Sequence, residues 1–104
     1  MMISTELATE DATLAELAGT HSTNDFYIGI GDNADRRRIA EKLRALGVRL
    51  PPCIAPSAFI APDAEIGDAA VICFGSQIGP RARVGFGCIV NTLSSVDHDC
   101  ILGD

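Results

Sequence analysis

The sequence predicts a small α/β segment followed by a short parallel β-helix built from six-residue repeats, and three observations carry that prediction. From Ile54 the chain divides without a skipped residue into IAPSAF, IAPDAE, IGDAAV, ICFGSQ, IGPRAR, VGFGCI, VNTLSS, VDHDCI and the opening LGD of a ninth unit. The first position is aliphatic every time, and the fifth is Ala, Ser or Cys in all eight complete hexads. Ahead of Pro51-Pro52 the pattern differs, with a short apolar run lying between two stretches of helical periodicity.

Residues 1–25 are polar and poor in strand formers, with a helix expected over Asp11 to Ala18, where Leu14 and Leu17 share a face and Gly19 is a stop signal. Phe26 to Ile30, reading FYIGI, is the kind of apolar run that makes a buried parallel strand. Gly31-Asp32-Asn33 turns the chain into a second helix, Ala34 to Leu46, in which Ile39, Leu43 and Leu46 recur at helical spacing while Arg36, Arg37, Glu41, Lys42 and Arg44 fall elsewhere. Asp32 or Asn33 can cap it and Gly47 ends it. Pro51-Pro52 suits neither a helix interior nor a central strand, so a boundary is expected there, with residues 1–50 on one side and 51–104 on the other.

In the repeat, each hexad is expected to make one short strand and one corner of a triangular prism, with the first side chain pointing inward and the fifth fitting a tight turn. Eighteen residues complete a coil. Gly67, Gly79, Gly85, Gly103 and Asn91 occupy the second position, where tolerance of φ > 0 is expected to help at a corner. No hexad could fold alone. Ordering six residues costs roughly 6 to 12 kcal/mol, whereas burying one aliphatic side chain returns about 1.5 to 3 kcal/mol. Stacking must supply the rest.

Composition narrows the function. Eight Lys plus Arg against fourteen Asp plus Glu give a net charge of −6, and no basic block longer than Arg36-Arg37-Arg38 exists, which argues against nucleic-acid binding. There is no cationic leader ahead of an apolar stretch and no run near the roughly twenty apolar residues of a membrane span, so no membrane partner is expected and the chain reads as cytoplasmic. Cys53, Cys73, Cys88 and Cys100 lack CxxC spacing and are joined by only two histidines, so they are read as small reduced thiols and no metal is expected. Arg81 and Arg83, the only cations after the prolines, are read as solvated surface side chains.

The hexads, with FYIGIGDNADRRRIAEKL from Phe26 to Leu43 and NTLSSVDHDCILGD from Asn91 to Asp104, resemble the left-handed parallel β-helix acyltransferases. Among these the resemblance is to bacterial sugar acetyltransferases of the sialic acid O-acetyltransferase, NeuD-like type. It implies a partial Rossmann-like segment over residues 1–50 that receives a sugar or nucleotide-sugar, and a β-helix over 51–104 that receives acetyl-CoA. It also implies left-handed coiling, against the general right-handed preference of crossovers, and a homotrimer with sites between neighbours. Family members open with a strand and a glycine-rich loop and continue for several further coils, so the resemblance implies truncation at both ends. The reaction implied is acetyl transfer from acetyl-CoA to a hydroxyl or amino group of the sugar. A His followed by an acidic residue acts as general base in the family, which matches His98 and Asp99. The alternative is a non-catalytic, trimerising or structural β-helix.

His98 stands at the third position of its hexad, which points away from the prism interior, and on position alone an ordinary exposed histidine between Asp97 and Asp99 is the plainer reading. The resemblance reverses that preference. Asp99 is favoured over Asp97 as the carboxylate that orients the ring. Gly31 and Asn33, with Gly29, could offer backbone amides at a helix start to an anionic group of the substrate. A third glycine in GxGxxG spacing is missing, and a plain strand-to-helix turn fits as well.

Overall fold

The computed structural model describes residues 2–4, 11–20, 25–30 and 32–103. Contacts divide the chain into two compact units, Met1–Pro51 and Pro52–Asp104.

In the first unit, β1 (Met2–Ser4) pairs in parallel with β2 (Tyr27–Gly29), setting Ile3 beside Ile28. The sequence pattern gave no sign of β1, because three residues are too few to show a period of two. The FYIGI run is less buried than its apolarity implied: Phe26 and Ile30 are buried, but Tyr27 and Ile28 only half so. α1 (Asp11–Thr20) ends one residue past Gly19 and buries Leu14 and Ala18.

α2 (Asn33–Ala45) begins at Asp32, whose extended backbone and side-chain oxygen, accepting from the Asp35 N–H at 2.9 Å, make it the cap. Gly47, at φ +77°, ends it. Ile39, Ala40 and Leu43 line the buried face, whereas Leu46 lies past the last turn and is exposed. Arg36, which the spacing placed on the solvent face, is buried.

The second unit is a short left-handed parallel β-helix. Its strands are β3 (Cys53–Ile54), β4 (Phe59–Ile60), β5 (Glu65–Ile66), β6 (Val71–Ile72), β7 (Gln77–Ile78), β8 (Arg83–Val84), β9 (Ile89–Val90), β10 (Ser95–Val96) and β11 (Ile101–Leu102). They stack as three parallel sheets, β3-β6-β9, β4-β7-β10 and β5-β8-β11, in which each residue pairs with the one eighteen positions on. Each strand joins the sixth position of one hexad to the first of the next. Side chains alternate along a strand, so the fifth and first positions face inward and the sixth outward.

The core follows from that alternation: Ile72, Ile78, Val84, Val90 and Val96 form the aliphatic column, with Ala70 and Ala82 between them. Ser76, also at a fifth position, is fully buried and donates its hydroxyl to the Asn91 carbonyl at 2.7 Å. Ile54 and Leu102, in the outermost coils, are 40% and 37% exposed because each has a neighbouring coil on one side only.

At every corner the fifth-position N–H donates to the second-position carbonyl, from 2.9 Å at Ala58 to 3.4 Å at Ala70. The left-handed residue sits at the fourth position: Ala69, Gly75, Arg81, Gly87, Leu93 and Asp99 have φ between 58° and 72°. This corrects the expectation that the second-position glycines supply φ > 0, since six of the corners carry it at the third residue of the turn, while those of Ser57 and Asp63 close with the same hydrogen bond without it. Gly67 and Gly79 are small for another reason. A Cβ on Gly67 would lie 2.8 Å from the Gly85 carbonyl carbon, and one on Gly79 would lie 2.8 Å from the His98 nitrogen. They admit the backbone of the next coil.

Candidate active site

His98 and Asp99 occupy the third and fourth positions of one corner, between β10 and β11. The third position is the outermost point of the turn, and the His98 side chain is 73% exposed there. Asp99 has φ +62°, a conformation that Asp tolerates better than most residues. Its main-chain N–H donates to the Pro80 carbonyl in the coil beneath at 2.9 Å. The turn thereby brings the carboxylate back alongside the preceding ring, with His98 Nδ1 3.0 Å from Asp99 Oδ2. Asp97, the other flanking carboxylate, is exposed, and its carbonyl closes the turn by accepting from the Cys100 N–H at 3.2 Å.

The structure adds a residue that was read as merely solvated. Arg81 lies one coil below Asp99, eighteen residues earlier, and holds its carboxylate through two hydrogen bonds, Nε to Oδ1 at 2.7 Å and Nη2 to Oδ2 at 2.9 Å. The Arg81 hydrogen bond first, and the one from His98 second, hold the Asp99 carboxyl well below the usual carboxylate range, and Asp99 in return raises Arg81. The signal was in the sequence. With eighteen residues per coil, Asp63, Arg81 and Asp99 form one vertical file, and an acid, base, acid file is a ladder of pairs. Asp63 Oδ1 completes it by accepting the Arg81 N–H at 3.1 Å. Arg83, in the adjacent outward file, pairs with Glu65 at 3.2 Å.

Of the other candidates, Gly31 lies outside the described residues, and Asn33 is the first residue of α2 directly after the Asp32 cap. Asn33 belongs to the first unit, and His98 and Asp99, which meet at 3.0 Å, belong to the second. Among the described residues no three His, Cys, Asp or Glu side chains cluster so as to hold a metal, and no helix is long and apolar enough to cross a membrane.

Comparison with solved structures finds acetyltransferases. The acetyltransferase domain of PglB from Neisseria gonorrhoeae, solved with acetyl coenzyme A, is 36% identical over 86% of this chain and 44% of its own, with a TM-score of 0.74. A variant of the GDP-perosamine N-acetyl transferase from Caulobacter crescentus in which a histidine is replaced by alanine, solved with CoA and GDP-perosamine, is 32% identical over 90% of this chain and 44% of its own, with a TM-score of 0.80. PerB from Caulobacter crescentus, again with CoA and GDP-perosamine, is 31% identical over 88% of this chain at a TM-score of 0.78. This chain thus spans less than half the length of each of those chains. No protein-family model matches the sequence.

Proposed function

We propose that this chain, which belongs with the hexapeptide-repeat, left-handed β-helix acetyltransferases, takes part in moving an acetyl group from acetyl-CoA to an amino or hydroxyl group of a sugar or nucleotide-sugar, with His98 as general base. The observation that carries the reading is the exposed His98 ring held at 3.0 Å by the Asp99 carboxylate. An acceptor amine or hydroxyl attacking a thioester must lose a proton as its new bond to the acetyl carbon forms. A neutral imidazole donating Nδ1–H to Asp99 presents the lone pair of Nε2 outward to take that proton. Acetyl-CoA supplies the thioester carbonyl, and the proton that His98 accepts is available to the departing thiolate. Asp99, ionised and fixed by its turn, orients the ring and stabilises the imidazolium that forms.

The Caulobacter relatives bind a nucleotide-linked amino sugar, which favours an amine over a hydroxyl as acceptor here. A homotrimer belongs to the same reading. Its support in this chain is the β3-β6-β9 sheet, whose outward file is Cys53, Val71 and Ile89, apolar throughout and only partly covered. A cytoplasmic location is proposed with it.

The test is release of free thiol from acetyl-CoA against a panel of amino sugars and nucleotide-linked amino sugars, with His98→Ala beside the wild type. Loss of the base should lower kcat by roughly 10²- to 10⁴-fold and leave the affinity for acetyl-CoA unchanged, because a base acts on the transition state more than on ground-state binding. Wild-type turnover by His98→Ala would remove the catalytic assignment. If the wild type binds acetyl-CoA but turns over none of the panel, the alternative of a non-catalytic module gains instead.

A further inference from the structure

We infer that Arg81 is a positioning residue that acts on His98 through Asp99, by fixing the carboxylate so that His98 carries its proton on Nδ1 and keeps Nε2 free for the acceptor. The inference rests on the proposed role of His98 for its consequence in turnover, but not for its geometry.

The geometry comes from the coil repeat. Arg81 and Asp99 both occupy fourth positions, eighteen residues apart, so their side chains leave adjacent corners in the same direction. The planar guanidinium meets both carboxylate oxygens, at 2.7 and 2.9 Å. Oδ2 is shared: it accepts from Arg81 Nη2 and from His98 Nδ1. A carboxylate gripped at both oxygens cannot rotate, so the direction in which Oδ2 faces the ring is set from the coil below. The grip is itself anchored, because Asp63 Oδ1 accepts the Arg81 main-chain N–H at 3.1 Å and its second oxygen lies 4.0 Å from Nη1.

Exposure makes this necessary. The side chains of Arg81, Asp99 and His98 are 60%, 53% and 73% exposed, and an exposed carboxylate and imidazole facing water would exchange their mutual hydrogen bond for solvent. A two-point Arg–carboxylate pair is the surface geometry that resists such exchange. Lysine, a single point charge on a flexible stem, could neutralise Asp99 without fixing its plane. The pair is so open to solvent that it contributes little to stability, and its effect is on direction. That separates a positioning role from a structural one.

The experiment compares Arg81→Gln and Arg81→Lys with the wild-type chain by ¹⁵N spectroscopy of the imidazole at a pH where the ring is neutral, with His98 assigned through His98→Gln. The wild type should show a proton on Nδ1. Arg81→Gln should show both tautomers, with an unchanged melting temperature, and Arg81→Lys should fall between. In the acetyl-transfer assay Arg81→Gln should lower kcat on the order of tenfold, the scale seen when the outer partner orienting a functional imidazole is removed, with KM for acetyl-CoA unchanged. An Arg81→Gln protein that keeps the wild-type tautomer would overturn the inference, as would a loss of activity matched by a fall in melting temperature and restored fully by lysine. Should His98→Ala retain turnover, the base assignment fails separately, and the tautomer comparison still decides the role of Arg81.

Discussion

Asp99 combines three features in one exposed carboxylate: a left-handed backbone, a two-point arginine contact and a hydrogen bond from the preceding histidine. The backbone matters because only a sharp reversal after His98 lets a residue's side chain return to its immediate neighbour. The depressed titration of Asp99 has a definite sign. Its pairing is fully present above the ordinary carboxylate value of about 3.9 and is lost only as pH falls through the lower folded-state value. At pH 4 the Asp99 carboxyl ¹³C resonance should therefore still report an ionised group. Arg81→Gln should let it titrate closer to the ordinary range, since the larger cause of the depression is gone. Asp99→Asn should lower kcat less than His98→Ala does, because the imidazole survives with its orientation and charge support weakened.

At the scale of the corner and the two-residue strand, glycine marks where one coil presses on the next. Gly67 and Gly79 stand at equivalent second positions, and a Cβ at either would come within 2.8 Å of backbone in the following coil. Backbone cannot move aside as a flexible side chain can, so Gly67→Ala and Gly79→Ala should each destabilise the β-helix by roughly 1 to 3 kcal/mol, as overpacking does. Their consequences for the site should differ. Gly79 lies under the His98 nitrogen and the Asp97 carbonyl carbon, whereas Gly67 lies under Gly85 and Phe86. Paired urea melts and His98 amide shifts would check this: similar losses of stability are expected, with the His98 resonance displaced in Gly79→Ala alone. Leu93 shows the converse arrangement. It holds a left-handed φ of 61° despite its Cβ, and its side chain lies over Gly75, the glycine one coil below.

For the β-helix unit as a whole, cohesion depends on one continuous apolar column. Ile78 is fully buried in it, among Ile60, Ile72, Val84 and Val96. Ile78→Asp would place an unpaired charge there and should cost more than about 4 kcal/mol, a large share of the stability of any small domain. Loss of the cooperative thermal transition in circular dichroism is expected, and a native melting curve would refute the register. The outward file of Cys53, Val71 and Ile89 bears on assembly in the same way, since a partly covered apolar strip is stabilised by contact with another copy. Sedimentation at micromolar concentration should give a trimer, and Ile89→Lys should shift it toward monomer while leaving Ile78 and its column intact.

The hexad register, the inward first position, the small fifth position and the end of α2 at Gly47 were legible from sequence because each is a local consequence of side-chain period or of one residue's size or backbone freedom. The choice of Asp99 over Asp97 as the partner of the His98 ring came from resemblance to a family and not from spacing, and the two side chains meet at 3.0 Å. Other features were decided only when the coils stacked. The left-handed residues belong to fourth positions, where Ala69, Arg81 and Leu93 adopt φ > 0 against their own preference, at roughly 1 to 2 kcal/mol each, and Asp99 adopts it at less cost. The second-position glycines answer to a neighbour eighteen residues away, and so does Arg81, whose partner is distant in sequence and adjacent in space. A hexad's sequence sets which side chains face in and which face out; which outward side chains meet is set by the coil's length, and that is a property of the stacked prism.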